Sequence, residues 1–407
     1  MADPTGAGRQ LMARPAPRLV LALAMVCASL APGFSQARSP DAALEHGLSG
    51  VIQAIEKDRP DVALQRVDAL IAAHPTFRLA QLIRGDLLVA RTRPLQTFGD
   101  VAKGVPRAKV EGLREEALAR LRGLRARPAA DRVPRYILQL NPEQKYAIVV
   151  DSQLSRLYLF RNVNGQPQYV EDYYVTLGKR GMEKTREGDQ KTPIGVYHVV
   201  ANLPRKKLAD FYGASAFPID YPNAWDKLMG RNGHGIWLHG TPSDTYSRPP
   251  RASDGCIVLA NPDLESVGPY MQIGLTPVII ADEIQWSSLA AVEADRKALA
   301  HAIDTWRSDW ESRDTARYLG HYSKRFRANG QDYAAWAARK GKINSTKSWI
   351  KIGISNLAMF RYPRERDFAV VSFDQNYRSN NLSNVIRKVQ YWSEENGSWK
   401  ILYEGTG

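Results

Sequence analysis

Two apolar runs of three residues constrain this chain most: Ile236-Trp237-Leu238 and Ile257-Val258-Leu259. Each has the length and composition of a short buried strand. The first delivers His239, which is followed by Gly240. The second is preceded by Ser253-Asp254-Gly255-Cys256. Two strand ends, one carrying an imidazole and one a thiol, bring a base to a nucleophile. Cys256 is one of two cysteines, and the other, Cys27, lies in a segment expected to be removed. The thiol that remains has no intramolecular disulfide partner. A lone Cys with a His elsewhere in the chain is a candidate nucleophile and base. The commoner fate of such a cysteine is to be a small buried hydrophobe.

The neighbouring residues favour chemistry. Gly255 allows unusual dihedrals and close approach of a substrate backbone. Asn261-Pro262 reads as an N-cap followed by proline at the first helical position. His-Gly, a gap and Ser-x-Gly-Cys, with upstream Gly178 and Lys191-Thr192-Pro193-Ile194-Gly195, resemble the L,D-transpeptidase (YkuD) catalytic domain. The resemblance spans roughly residues 145 to 282. Many members have His directly before Gly-Cys and Arg two positions after the Cys. Here Asp254 and Val258 stand there. That departure resembles the branch with an extra C-terminal domain, some of which are L,D-carboxypeptidases, and it leaves the acyl acceptor open.

Ahead of this domain, Arg9, Arg14 and Arg18 precede the apolar run from Leu19 to Ala31, and Ser35-Gln36-Ala37 offers a cleavage site. Residues 1–37 are therefore expected to be an export signal, too short for a comfortable membrane span. Val26 before Cys27 is not a lipoprotein pattern. Export places the protein in the periplasm or cell envelope, where thiols oxidise. Removing the signal, with three arginines and one aspartate, lowers the formal charge of +14 to +12. A basic exported chain suits an anionic envelope polymer or membrane surface better than nucleic acid. No dense basic block is present, and solubility accounts for the charge equally well.

Residues 38–135 are expected to be helical. Ala63, Val67 and Leu70 repeat at helical spacing, and Leu79, Ile83 and Leu87 continue beyond His74-Pro75. The layout resembles tetratricopeptide-like hairpins that pack on the next domain. Glu111 to Arg127 reads as a basic helix with Leu113, Leu118, Leu121 and Leu124 on one side. From residue 145 to 282, short strand-like runs and an Asn164-Gly165 hairpin signal predict a mainly-β, sandwich-like domain. His198 falls in one of these strands as a packed or surface residue. The charged loop Lys179 to Lys191 is expected to be a solvated hairpin tip. Residues 203–232 are an aperiodic insertion, read as a lid or substrate wall or as an irregular excursion. In residues 285–407 a helical stretch and four strand-like runs predict an α+β domain. This resembles the nuclear transport factor 2-like (NTF2-like) cone fold, which by itself gives no function. His301, His321, Asp367 and Asp374 are candidate pocket groups there, with surface or capping roles as the alternative. The whole chain is thus expected to be multidomain: helical segment, mainly-β catalytic domain, NTF2-like domain.

The chemistry follows. Cys256 as thiolate attacks an amide carbonyl and forms a thioester, and His239 takes its proton and returns one to the leaving amine. No Asp or Asn stands out to orient the imidazole, and the resemblance implies the main-chain carbonyl of Gly240. Main-chain N–H groups of Gly255 and Cys256 are expected to stabilise the oxyanion, with Ser253 supporting the turn. Asp254, Tyr221, Arg248 and Arg251 are candidate substrate contacts, the arginines because a guanidinium suits a carboxylate. His234 is a rival base. No compact ligand cluster supports a metal, and no cofactor is expected. By resemblance the substrate is the tetrapeptide stem of peptidoglycan, cut before its terminal D-Ala. An amine acceptor makes a transpeptidase, and water makes an L,D-carboxypeptidase. An envelope protein is a further candidate acceptor or partner. A non-catalytic wall-binding scaffold is the alternative of another class, and rapid alkylation at neutral pH is expected to separate it from an enzyme. The C-terminal domain is expected to bind substrate or partner, so that its removal spares action on short peptides.

Overall fold

The computed structural model describes residues 40–100, 106–126, 128–365 and 367–407. The expected export signal and Cys27 lie outside them. No helix among the described residues is long and apolar enough to cross a membrane.

Four helices come first: α1 (Pro40–Glu56), α2 (Pro60–Ala73), α3 (Arg78–Ala90) and α4 (Arg107–Arg125). Pro60 starts α2, where its missing N–H costs nothing. His74 ends it, its main-chain N–H donating to the Leu70 carbonyl at 2.9 Å. The helices bury Leu44, Val51, Val67, Phe77 and Ile83 together with Tyr246 and Ala260 of the following domain. They therefore dock on the segment that separates His239 from Cys256.

Helix α4 differs from expectation. Its leucines are not its most buried residues: Leu118 is exposed and Leu113, Leu121 and Leu124 are half-buried, while Glu116 and Arg120 are buried. The reason is a charge network. Arg120 pairs with Glu45 at 2.6 Å and Glu116 at 2.9 Å, and Arg156 pairs with Glu45 at 3.0 Å and with Asp172. Buried charges persist only when paired, and removing one partner strands the rest. Arg120→Ala is therefore expected to cost about 3–5 kcal/mol, read by denaturant unfolding.

Two short strands follow, β1 (Arg132–Pro134) and β2 (Ile137–Gln139). The next elements are β3 (Tyr146–Asp151), β4 (Arg156–Val163), β5 (Gln166–Tyr174), β6 (Leu177–Gly178) and β7 (Gly195–His198). Asn164 and Gly165 take positive φ values of 54° and 87° in the β4–β5 turn, the conformation that an Asn-Gly hairpin needs. Then come β8 (Leu203–Pro204), β9 (Ser215–Pro218), α5 (Ala224–Leu228) and β10 (Trp237–His239). The domain closes with β11 (Arg251–Ser253), β12 (Ile257–Val258), α6 (Asn261–Val267) and β13 (Pro277–Ala281). A five-stranded sheet runs β5-β4-β3-β13-β7, and a four-stranded sheet runs β12-β10-β9-β8. Ile148, Val150 and Leu157 of the first pack with Phe217, Leu238 and Ile257 of the second. The insertion at 203–232 thus supplies β9, the strand beside β10.

The C-terminal part contains β14 (Trp286–Ser288), α7 (Leu289–Ser312), α8 (Thr315–Gly320), the small β15 (Arg327–Ala328) and β16 (Gln331–Asp332) pair, and α9 (Tyr333–Ser345). Four long strands follow: β17 (Ile350–Arg361), β18 (Phe368–Ser379), β19 (Leu382–Glu395) and β20 (Ser398–Thr406). The sheet order is β2-β17-β18-β19-β20, so its edge strand comes from ahead of the catalytic domain. One sheet face buries Trp306, Trp310, Phe373 and Trp392. The other packs Phe360, Phe368 and Tyr391 against Val196, Trp225 and Ile279 of the catalytic domain. Most of the aromatics expected to offer a binding face are therefore core. Deleting residues 285–407 would expose this shared core, so truncation cannot test the domain's role. His321 bonds Asp309 at 2.8 Å, and Asp374 is held by Asn356 and Arg387. His301 and Asp367 are exposed, so these four do not converge on one pocket.

Candidate active site

Strands β10 and β12 are parallel neighbours, with Leu238 opposite Ile257 and His239 opposite Val258. Continuing the register by one residue sets Cys256 opposite Trp237. Side chains alternate faces along a strand, so Trp237, His239 and Cys256 share one face. Thiol and imidazole become diagonal neighbours on one sheet edge.

His239 is buried, and its Nδ1 lies 2.7 Å from the Gly240 carbonyl oxygen. That contact orients the ring with Nδ1–H as donor and Nε2 as the free base. Asn261 holds the carbonyl's own segment. Its side chain accepts from the Ala214 N–H at 3.0 Å and donates to the Thr241 carbonyl at 2.8 Å. It is not the N-cap of α6, a position taken by Ala260. A Cβ on Gly240 would stand 2.0 Å from the Asn261 side-chain oxygen, so only glycine fits. The sequence marked Asn261 as a cap because Pro262 follows it, and the tertiary role carried no local signal.

Cys256 is part-exposed and donates to the Gly235 carbonyl at 3.3 Å. Ser253 shapes its turn: Oγ donates to the Cys256 carbonyl at 2.6 Å and accepts the Gly255 N–H at 3.1 Å. The Gly255 N–H is thus occupied, and of the two expected oxyanion donors only that of Cys256 is a candidate. Gly255 has φ of 123°, and a Cβ there would stand 2.6 Å from the Lys191 carbonyl oxygen. The Lys191-Thr192 stretch closes against this turn, with Thr192 Oγ1 donating to the Gly255 carbonyl at 3.0 Å.

The other expected residues scatter. Tyr221 is buried, with the carbonyls of Lys184 and Asn232 both within reach of its single hydroxyl hydrogen, so it ties the 179–191 loop to the insertion. Asp254 is exposed and pairs with Lys179 at 2.8 Å. Arg251 is exposed, with its guanidinium against Gly181 and acting on Asp282. Arg248 is half-buried and lies close enough to both Cys256 and His239 to act on their titration. His234 is exposed beside Glu187, and His198 packs on Phe360 near Asp220. The loop 179–191 is more than a solvated tip: Lys184 and Asp189 form a buried pair at 2.9 Å.

Residues absent from the expected set complete the site. Tyr212 sits 5.2 Å from the His239 ring and 5.0 Å from Trp237, and Phe211 sits 6.0 Å from His239. Both belong to the aperiodic insertion, whose aromatic richness was the available signal. The insertion forms a wall over the imidazole. Among the described residues no group of three or more His, Cys, Asp or Glu is arranged to hold a metal ion.

Burial pushes the Cys256 thiol up to about 11 from an ordinary 9.0, against a smaller lowering by the Trp237 main-chain N–H. Burial also lowers His239 to about 4 from 6.5, opposed by its bond to Gly240. At neutral pH the resting pair is therefore a neutral thiol beside a neutral imidazole. Folding is weakened at both ends. As pH falls from 6.5 toward 4 the unfolded imidazole takes a proton that the native one refuses. As pH rises from 9 toward 11 the unfolded thiol ionises first. Iodoacetamide labelling of Cys256 is expected to be slow at pH 7 and to climb toward pH 11. A rate already at its plateau at pH 6 would mean a preformed thiolate–imidazolium pair. Slow neutral labelling thus does not exclude a nucleophile, which corrects the expectation from sequence.

Residues 145–280 match the L,D-transpeptidase catalytic domain, YkuD, and residues 298–405 match the Cds6 C-terminal NTF2-like domain. The chain carries both. It is similar to the putative L,D-transpeptidase YafK of Escherichia coli strain K12, 26% identical over 156 residues. That alignment covers 38% of this chain and 58% of YafK, so the chain spans little more than half the length of this relative. Bd1075 of Bdellovibrio bacteriovorus is 29% identical with a TM-score of 0.60, over 68% of this chain and 98% of that one. The helical cell shape determining protein Pgp2 of Campylobacter jejuni is 27% identical with a TM-score of 0.58, over 66% and 95%.

Proposed function

We propose that this protein is an exported, cysteine-dependent L,D-transpeptidase acting on the tetrapeptide stem of peptidoglycan. The observation that carries the reading is the Nδ1 bond of His239 to the Gly240 carbonyl, which leaves Nε2 as a base on the face it shares with Cys256. Nε2 takes the thiol proton as sulfur attacks the carbonyl carbon before the terminal D-Ala. The oxyanion is met by the Cys256 N–H. Collapse breaks the C–N bond, the imidazolium protonates the leaving amine, and a thioester remains. An acceptor amine then attacks with His239 as base, restoring the thiol.

Hydrolysis is the second reading. It is kept because Asp254 and Val258 stand where many family members carry His and Arg, a departure that resembles the branch containing some L,D-carboxypeptidases. In either case the NTF2-like domain supplies no group to the Cys256 site.

Intact-protein mass spectrometry after mixing with a disaccharide tetrapeptide tests the proposal. A thioester adduct at Cys256 with release of D-Ala supports it. Cross-linked product on adding an acceptor stem marks transfer, and tripeptide alone marks hydrolysis. No adduct and no D-Ala from folded protein would favour a non-catalytic wall-binding scaffold.

A further inference from the structure

The strap between His239 and Cys256 is held from outside the catalytic domain. Tyr246 is buried among the helices, with its ring 5.4 Å from that of Phe77. Ser247 Oγ donates to Glu116 of α4 at 2.6 Å. Pro249 lies against Gly112 of α4, where a Cβ would approach it to 2.7 Å. Between them the Arg248 carbonyl accepts from the hydroxyls of Tyr174 and Thr176, each at 3.0 Å. The strap is pinned on both sides of Arg248, and that residue's side chain turns toward the site.

Its guanidinium is only partly satisfied. Nη2 donates to the Ala252 carbonyl at 2.7 Å, while Nη1 is buried with no partner. The Phe211 ring covers the group at 5.4 Å. Two other cations stand near the thiol, and each has a carboxylate: Lys184 has Asp189, and Lys179 has Asp254. Among the described residues Arg248 has none within ion-pair distance. An arginine held half-buried, with an orphan donor and a flat aromatic cover, is built to receive an anion, and a planar carboxylate matches its fork. In a peptide the terminal carboxylate lies one residue beyond the scissile carbonyl, roughly 3–4 Å away. The ring of Phe211 that covers the guanidinium at 5.4 Å also stands 6.0 Å from the His239 ring, which sets Arg248 beside the site.

We propose that Arg248 binds the free α-carboxylate of the leaving amino acid, so that the site cuts the last peptide bond of a stem and not internal ones. This rests on the reading of Cys256 as nucleophile. Phe211, the ring that covers the guanidinium, is 46% exposed. The helical region, through α4, is the positioning element for this specificity.

The test compares a tetrapeptide stem with the same peptide bearing a C-terminal amide, for the unsubstituted protein and for Arg248→Gln and Arg248→Lys. All three are first checked for equal thermal melts. Release of D-Ala or D-Ala amide is followed to obtain kcat/KM. The unsubstituted protein is expected to favour the acid by about 100-fold or more, the scale of a lost buried charge partner. Arg248→Gln is expected to lose about that factor on the acid and to treat acid and amide alike, and Arg248→Lys to regain part of the preference. If Arg248→Gln slows both peptides equally and keeps the ratio, Arg248 only tunes the thiol's charge and the proposal falls. A neutral activated ester, offered to the unsubstituted protein, separates the two levels. A burst at Cys256 with no acid preference overturns only the arginine's role. No burst and no turnover overturn the nucleophile and the proposal together.

Discussion

Cys256→Ala leaves a folded protein that forms no adduct with a tetrapeptide stem and releases no D-Ala. The expected fall in kcat is at least about 10^4-fold, the scale seen when a nucleophile is removed and only binding and oxyanion contacts remain. Folding should survive, because the thiol is part-exposed and its turn is held by Ser253 and Thr192. Cys256→Ser should be nearly as inactive. A hydroxyl is far harder to deprotonate than a thiol, and the imidazole beside it is already a weakened base, its pKa lowered to about 4. Mass spectrometry and D-Ala release, with circular dichroism as the folding control, decide the matter. Turnover in the alanine variant would remove Cys256 from the mechanism.

His239→Ala is expected to lower kcat/KM by about 10^2–10^4-fold, the usual worth of a general base. His198→Ala should stay within a few-fold on the same peptide. His198 lies on β7, with its ring against Phe360 across the domain contact, so it loses packing and not chemistry. The contrast is sharpened by pH. Without His239 the residual reaction depends on hydroxide and should keep rising toward the thiol's value of about 11. Equal losses in both variants, with both folded, would mean that the base lies elsewhere. His234 would not replace it, because it is exposed and faces Glu187.

Short-range features of the sequence were enough for much of this. Ile236–Leu238 and Ile257–Leu259 read as strands because a run of three apolar residues between turns has little else to become, and strands form there at Trp237–His239 and Ile257–Val258. Asn164-Gly165 marked its hairpin because both residues tolerate positive φ. The helices up to α3 followed from apolar spacing, and the C-terminal meander from its alternating runs. Such features depend on neighbours a few residues away, which a sequence displays directly.

What failed to show depends on partners distant in the chain. Nothing local tells that α4 buries Glu116 and Arg120 more deeply than its leucines, because the reason is Glu45, which lies 75 residues from Arg120. β2 is too short to announce itself, and it becomes a strand only because β17 offers an edge. Nothing near Tyr221 in the chain announces that its hydroxyl meets the carbonyls of Lys184, 37 residues away, and Asn232. Arg248 and Arg251 were equivalent in sequence, three positions apart on one strap, yet one is half-buried under Phe211 and the other exposed against Gly181. The sequence by itself determined which atoms can do chemistry, because side-chain identity sets nucleophile, base and cation. Only the tertiary structure decided which of them meet, because burial, orphaned hydrogen bonds and shifted pKa values are made by residues that the chain brings together from far apart.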